Sequence, residues 1–284
     1  MEPILVTTEE LARHLDDRGW VLFDTRHDLA RPDAGRDAYR DSHIPGAYFL
    51  HMDEDLSGAK TGANGRHPLP DLQEFARRID RCGVQPDSRV VVYDDAGGSY
   101  AVRLWWMLRW LGHERTALLD GGWKAWVGEG RPVTKEEPPE RPGSFVPRPR
   151  LGATVDAHFV ERFRGDPAVK MVDARAAARY TGEQETIDPV AGHVPGALNR
   201  FWQRNLEPDG RFKDPADLRE EWLDLLEDAP VEKTVHMCGS GVTACHNLFA
   251  LELAGLGEAR LYPGSWSEWC ADPSRPVAKG RDPG

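Results

Sequence analysis

The clearest chemical signal in the chain is the run Cys238-Gly239-Ser240-Gly241-Val242-Thr243. It follows a short apolar stretch, Val235-His236-Met237. A helical pattern in Cys245, Leu248, Phe249, Leu251 and Leu253 comes after it. A cysteine therefore stands at the end of a predicted strand, joined to a helix start by a glycine-containing turn. Glycines let the backbone curl until several N–H groups point inward, and a helix N-terminus adds positive potential. Both favour a thiolate over a thiol, which makes Cys238 the candidate nucleophile. Gly239, Gly241, Val242 and Thr243 are then expected to line the anion site, with Thr243 capping the helix. Ser240 is expected to donate to a substrate or help deprotonate Cys238. Cys82, Cys245 and Cys270 lack this setting and read as packing residues. No C-x-x-C pair occurs, so a zinc ribbon or a thioredoxin-type motif is unsupported.

Two cysteine chemistries use an anion-cradling loop. Phosphatase chemistry needs an arginine at the sixth position after the cysteine, to close on phosphate oxygens; that position here is Ala244. Sulfur transfer needs only the inward N–H groups, which stabilise the charge of a cysteine persulfide. Sulfur transfer is the better fit.

The elements that must position this loop occur twice. Trp20-Val21-Leu22-Phe23-Asp24-Thr25-Arg26 is matched by Val169-Lys170-Met171-Val172-Asp173-Ala174-Arg175. His43-Ile44-Pro45-Gly46-Ala47 is answered by His193-Val194-Pro195-Gly196-Ala197, and Arg89-Val90-Val91-Val92-Tyr93 by the strand before Cys238. Leu119-Asp120-Gly121-Gly122-Trp123 corresponds to Tyr262-Pro263-Gly264-Ser265-Trp266. The shared order and the offset of roughly 150 residues indicate a duplicated domain. The expected division is a non-catalytic repeat at 1–134, a Pro-rich extended linker at 135–149 and a catalytic repeat at 150–284. Thr7-x-x-Glu10 predicts a helix opened by a capping box. Asp156 with Phe159, Val160 and Phe163 predicts its counterpart, and Leu72, Phe75, Ala76 and Ile79 predict another helix. Short buried strands alternating with helices make each repeat an α/β unit, a parallel sheet flanked by helices. Ligands in such sheets sit at the carboxyl ends of the strands. The first repeat has Asp94-Asp95-Ala96-Gly97-Gly98-Ser99 where the second has the Cys238 loop. Without a thiol it is expected to be a scaffold.

The 284 residues carry 36 basic and 47 acidic side chains, a formal charge of −11, with ten tryptophans and 40% hydrophobic residues. This composition excludes a disordered chain and argues against nucleic acid as the main partner. No apolar run reaches the roughly 18–20 residues of a membrane helix. Met1-Glu2-Pro3-Ile4 lacks the pattern of a signal peptide. A cytoplasmic protein with reduced thiols and no membrane association is expected.

Tyr39-x-x-x-His43-Ile44-Pro45-Gly46-Ala47, Leu119-Asp120-Gly121-Gly122-Trp123 and the Cys238 loop together resemble the tandem rhodanese-type sulfurtransferases, over nearly the whole chain. The loop itself is similar to that of the branch using 3-mercaptopyruvate. The thiosulfate-using relatives carry basic residues where this chain has Gly239 and Ser240. The resemblance implies substrate binding by Arg179 and Arg175, and a relay to Ser240 from a histidine and an aspartate of the first repeat. His43 is the expected histidine, and Asp33, or else Asp37, the expected aspartate. Arg103 also matches a family position. A small-molecule sulfur donor, a thiol acceptor such as thioredoxin, and no metal or organic cofactor are implied. Thiosulfate as the donor is the alternative enzyme reading, and a persulfide carrier that does not turn over is the alternative of another class.

Overall fold

A computed structural model describes residues 2–227 and 229–284. The chain forms two compact units. One holds the chain up to Gly58 with Leu69–Arg150 and Pro208–Arg211; the other holds Ala59–Pro68, Leu151–Glu207 and Phe212–Gly284.

The first unit has strands β1 (Leu5–Val6), β2 (Trp20–Asp24), β3 (Ala47–Phe49), β4 (Arg89–Tyr93) and β5 (Thr116–Leu119). They form one parallel sheet in the order β1-β5-β4-β2-β3. Helices α1 (Thr8–Arg13), α2 (Ala34–Asp41), α3 (Leu72–Asp80), α4 (Ala101–Trp110) and α5 (Gly122–Gly128) alternate with the strands. The central strand β4 is buried at every position, which is why it reads as an unbroken Val-rich run rather than an alternating one. The expected capping at Thr7 is present, its Oγ accepting the Glu10 N–H at 3.1 Å, and the predicted helix through Phe75 is opened by Asp71, whose carboxylate accepts from Gln73 and Glu74. Phe75, Ala76 and Ile79 face inward from α3.

The second unit repeats the plan with β6 (Met171–Asp173), β7 (Ala197–Asn199), β8 (Val235–Met237) and β9 (Arg260–Leu261), ordered β7-β6-β8-β9 and parallel throughout. A parallel bridge from Thr154 to Leu261 stands where β1 stands in the first sheet. Its helices are α6 (Ala157–Phe163), α7 (Ala177–Tyr180), α8 (Pro215–Leu226), α9 (Ala244–Leu253) and α10 (Ser265–Trp269). Trp222, Trp266 and Trp269 are fully buried within it.

The Pro-rich segment 135–149 belongs with the first unit. Its non-proline N–H groups pair there, Arg141 to Arg81 O, Ser144 to Val84 O and Arg148 to Leu111 O, and Phe145 is buried. The unexpected assignment is 59–68, which falls within the first repeat by sequence and within the second unit in space. The stretch 208–211 makes the opposite crossing. Among the described residues no helix is long and apolar enough to cross a membrane.

Candidate active site

Cys238 follows β8 directly and is 2% exposed. Its N–H donates to Ser265 Oγ at 3.1 Å, and its sulfur accepts the Ser240 N–H at 3.4 Å. Its carbonyl takes the Trp266 N–H, and the Gly239 carbonyl takes the Ser267 N–H. Gly241 turns the loop at φ +74°, and a Cβ there would lie 2.3 Å from Pro263 O; only glycine satisfies both conditions. Ser265 also has a positive φ, +54°. That is a strained geometry for a residue with a Cβ. Two hydrogen bonds of its hydroxyl hold it, one from the Cys238 N–H and one to Tyr262 O.

The twin loop of the first unit shows what this turn is built to hold. Asp94 follows β4 as Cys238 follows β8. Its Oδ1 accepts the N–H groups of Ala96 and Gly98, and its Oδ2 those of Tyr100 and Ala101, all at 2.8–2.9 Å. Burial raises the Asp94 pKa, and the four N–H donors oppose that rise. The Trp123 N–H meets Asp94 O as Trp266 meets Cys238 O. The turn is an anion cradle that the first unit fills with its own carboxylate.

Ser240 Oγ shares a 2.8 Å hydrogen bond with His67 Nδ1, both side chains buried. This corrects the expectation of His43. The His43 ring is fully buried within the first unit, stacked on Tyr39, with Nδ1 on Tyr39 O and Nε2 on Glu136 O. His193 does the same with Tyr180 O and Asp282 O, so this motif shapes a turn in both repeats. Asp33 is exposed and paired with Arg36, and Asp37 is exposed; neither meets the His43 ring nitrogens, which carbonyls occupy. His67 escaped the sequence reading because it sits in an irregular segment between landmarks. The usable signal was Asn64-Gly65-Arg66, answered by Asp209-Gly210-Arg211 in the second repeat.

Arg175 is also corrected. It is buried, bidentate to Asp173, bonded to Gly192 O and stacked over Trp266. Arg26 repeats these contacts with Asp24, Ser42 O and Trp123 in the first unit, and Arg175 adds a 3.5 Å contact from Nη1 to Glu185. A residue so occupied is a structural brace. Arg179 is placed differently. Its Nε and Nη2 engage Glu185, and Nη2 also meets Asp188 Oδ2 at 2.8 Å. Its Nη1 lies 3.4 Å from where a Cβ on Gly239 would stand. Arg66 Nη2 lies 2.9 Å from that same point, with Nη1 on Asp188 Oδ1 at 2.6 Å. Burial would raise the Glu185 pKa, but the Arg179 bonds and the N–H groups of Ile187 and Asp188 bring it below the usual value.

The remaining assignments are simple. Thr243 stands at the N-cap of α9, but its hydroxyl makes no cap bond, which corrects its expected role; its backbone is already in a helical conformation, not the extended one a capping side chain needs. Val242 is buried beside it. Arg103 is fully buried on α4. Burial pushes the Cys82 thiol up to about 11 and raises that of Cys270. Cys245 is fully buried, its S–H donating to Gly241 O.

Comparison with known proteins follows the same lines. The sequence pattern of the rhodanese-like domain matches residues 7–129 and again 156–272. A probable 3-mercaptopyruvate sulfurtransferase of Pseudomonas aeruginosa is 47% identical over 278 residues, covering 97% of this chain and 98% of that protein. A putative thiosulfate sulfurtransferase of Mycobacterium tuberculosis is 36% identical over 282 residues, covering 98% of this chain and 97% of its own length. Among solved structures, the 3-mercaptopyruvate sulfurtransferase SseA of Escherichia coli superposes with a TM-score of 0.81 at 30% identity, covering 93% of this chain and 99% of that one. The 3-mercaptopyruvate sulfurtransferase of Leishmania major gives 0.82 at 29%, covering 94% and 74%.

Proposed function

The chain belongs to the rhodanese-like family and is a sulfurtransferase, and we propose that it takes sulfur from 3-mercaptopyruvate through a persulfide on Cys238. The observation that carries this reading is the Cys238 loop, which matches a turn holding a buried carboxylate on four N–H groups but offers a thiol in its place. The Cys238 thiolate attacks the donor sulfur. The donor C–S bond breaks, its electron pair passes to carbon as the pyruvate enolate, and a proton completes pyruvate. The sulfur stays as a Cys238 persulfide. An acceptor thiolate or cyanide then attacks the outer sulfur and regenerates the Cys238 thiolate, a two-step ping-pong scheme. The Ser240–His67 pair handles the proton at the departing enolate. Arg179 holds the donor carboxylate beside Gly239. Gly239 and Ser240 bring no cation to the sulfur, which suits a donor whose charge lies on a carboxylate away from the transferring atom rather than a dianion such as thiosulfate. A small dithiol protein such as thioredoxin is the acceptor class we favour.

Steady-state transfer with 3-mercaptopyruvate and thiosulfate as parallel donors tests this. A kcat/KM at least tenfold higher for 3-mercaptopyruvate is expected, and preference for thiosulfate overturns the donor. Cys238→Ser should abolish turnover of both donors while circular dichroism and thermal midpoint stay unchanged. Retained transfer in that variant ends the persulfide mechanism.

A further inference from the structure

We propose that Ser265 is a positioning residue of the transfer reaction. Held in a left-handed backbone that glycine would adopt freely, its hydroxyl fixes the Cys238 peptide and so directs the sulfur into the turn. The proposal rests on sulfur transfer through Cys238 and adds a residue outside the loop, 27 positions further along the chain.

The twin turn supplies the contrast. Gly122 opens α5 in the first unit as Ser265 opens α10 in the second. Each stands one residue before the tryptophan whose N–H meets the carbonyl of Asp94 or Cys238. The two backbones agree, with φ +55° at Gly122 and +54° at Ser265. Glycine enters that region freely, whereas a residue with a Cβ is strained there. A Cβ on Gly122 would lie 2.3 Å from Asp94 O, too close for any side chain. The second unit carries a Cβ at the matching position and therefore holds the Cys238 carbonyl clear of it. A glycine at 265 would relieve the strain, and it would also remove the hydroxyl. Strain of this kind persists only where the surroundings hold it, and it gathers at functional sites. The contacts of Arg175 and His193 recur in the first repeat; the hydroxyl at 265 has no counterpart at Gly122.

Both sides of that hydroxyl are committed. Its proton goes to Tyr262 O at 2.9 Å, so a lone pair faces the Cys238 N–H at 3.1 Å. Toward the loop it is an acceptor and not a source of protons for the sulfur. Ser265 is fully buried, and a buried N–H that loses its acceptor is costly. The next two residues continue the grip. The Trp266 N–H takes the Cys238 carbonyl, and the Ser267 N–H takes the Gly239 carbonyl. The peptide groups on both sides of the Cys238 Cα are thus fixed. That sets the direction of the Cα–Cβ bond, and with it the arc on which the sulfur stands against the Ser240 N–H. Asp94 is instead held at its side chain, by N–H groups on both carboxylate oxygens. Direction matters for transfer, because a misplacement of about 1 Å in a reacting group costs about 100-fold in rate.

The test uses the full chain with Ser265→Gly, which copies the twin, and Ser265→Ala, which keeps the Cβ and removes only the hydroxyl. Each protein is loaded with sulfur on Cys238 by polysulfide, and discharge by cyanide is followed in a single turnover. The rate constant then belongs to loaded, folded molecules and is blind to any unfolded fraction. Both variants should discharge about tenfold more slowly than wild type. In steady state with 3-mercaptopyruvate, both should lose kcat by a similar factor with KM within twofold, because the hydroxyl acts on the cysteine and not on the donor. Wild-type rates in both variants overturn the role of Ser265. Slowing in Ser265→Gly alone also overturns it, since the Cβ and not the hydroxyl then sets the peptide. A raised KM with unchanged discharge overturns it as well, because Ser265 then acts on donor binding. A wild type that takes no sulfur on Cys238 overturns the persulfide reading itself, and the proposal falls with it.

Discussion

A carboxylate and a thiol occupy the same seat in the two halves of this chain. Asp94 takes four backbone N–H groups, and Cys238 accepts the Ser240 N–H at its sulfur. The Asp94 bonds hold the first unit together where the second offers a thiol. Asp94→Ala leaves four inward N–H groups without an acceptor, each costing about 1–3 kcal/mol if water cannot reach it. A loss of at least about 3 kcal/mol is expected, read as a lower midpoint in urea unfolding. A loss under about 1 kcal/mol means water fills the turn and the carboxylate is dispensable. At this scale the sequence is informative where residue type alone implies chemistry. Cys238 at a strand end with glycines after it is such a case. It misleads where one residue type serves two purposes. The DxR motif and the HxPG motif occur in both repeats, and the contacts they share there are structural ones. Arg66 and His67 lie in an irregular stretch whose partners, Ser240, Asp188 and Ser267, are distant in sequence. No periodicity reports such contacts.

The strand that leads into Cys238 carries an unusual core residue. His236 on β8 is fully buried; its Nε2–H donates to Thr234 Oγ, whose hydroxyl proton is committed to Val231 O. Nδ1 has no partner among the described residues and Trp222 stands edge-on to the ring. The ring is neutral because burial, and after it Arg200, lowers its pKa to about 3. An unfolded histidine titrates near 6.5. Between those values the unfolded chain binds the proton and the folded chain does not, so stability rises with pH across this window. The contribution is complete above about pH 6.5 and is lost as pH falls toward 3, by about 1.4 kcal/mol per pH unit at most. His236→Leu should remove about 2 kcal/mol of the acid destabilisation between pH 7 and pH 5. Urea midpoints for both proteins at the two pH values measure it, and equal losses in both refute the assignment. The elements themselves were largely legible. Val-rich β4, the Thr7 and Asp156 starts and the repeated order follow from burial and capping, which are local. The placing of 135–149 was not, because proline content predicts an extended chain but not the sheet and helix edges whose carbonyls its remaining N–H groups find.

The chain as a whole is a duplication in which each repeat lends a short segment to the other unit. Residues 59–68 lie with the second unit and 208–211 with the first. The two segments carry the same Gly-Arg pair, Gly65-Arg66 and Gly210-Arg211. Arg211 meets Asp120 at 3.3 Å and Glu129 at 3.0 Å, and its guanidinium carbon lies 3.5 Å from where a Cβ on Gly121 would stand. Arg66 meets Asp188 and the point above Gly239. The arrangement is common to both, and Arg66 stands beside a cysteine loop where Arg211 stands beside Gly121. Arg211→Ala therefore tests what the exchanged segment 208–211 contributes to the fold. Its ion pairs are partly exposed, and such pairs contribute little, up to about 1 kcal/mol each. The expected outcome is a stability loss near 1 kcal/mol by urea unfolding, with KM for 3-mercaptopyruvate and pyruvate inhibition within twofold of wild type. A rise in that KM of tenfold or more would mean that Arg211 acts on the donor reaction and not on the fold alone.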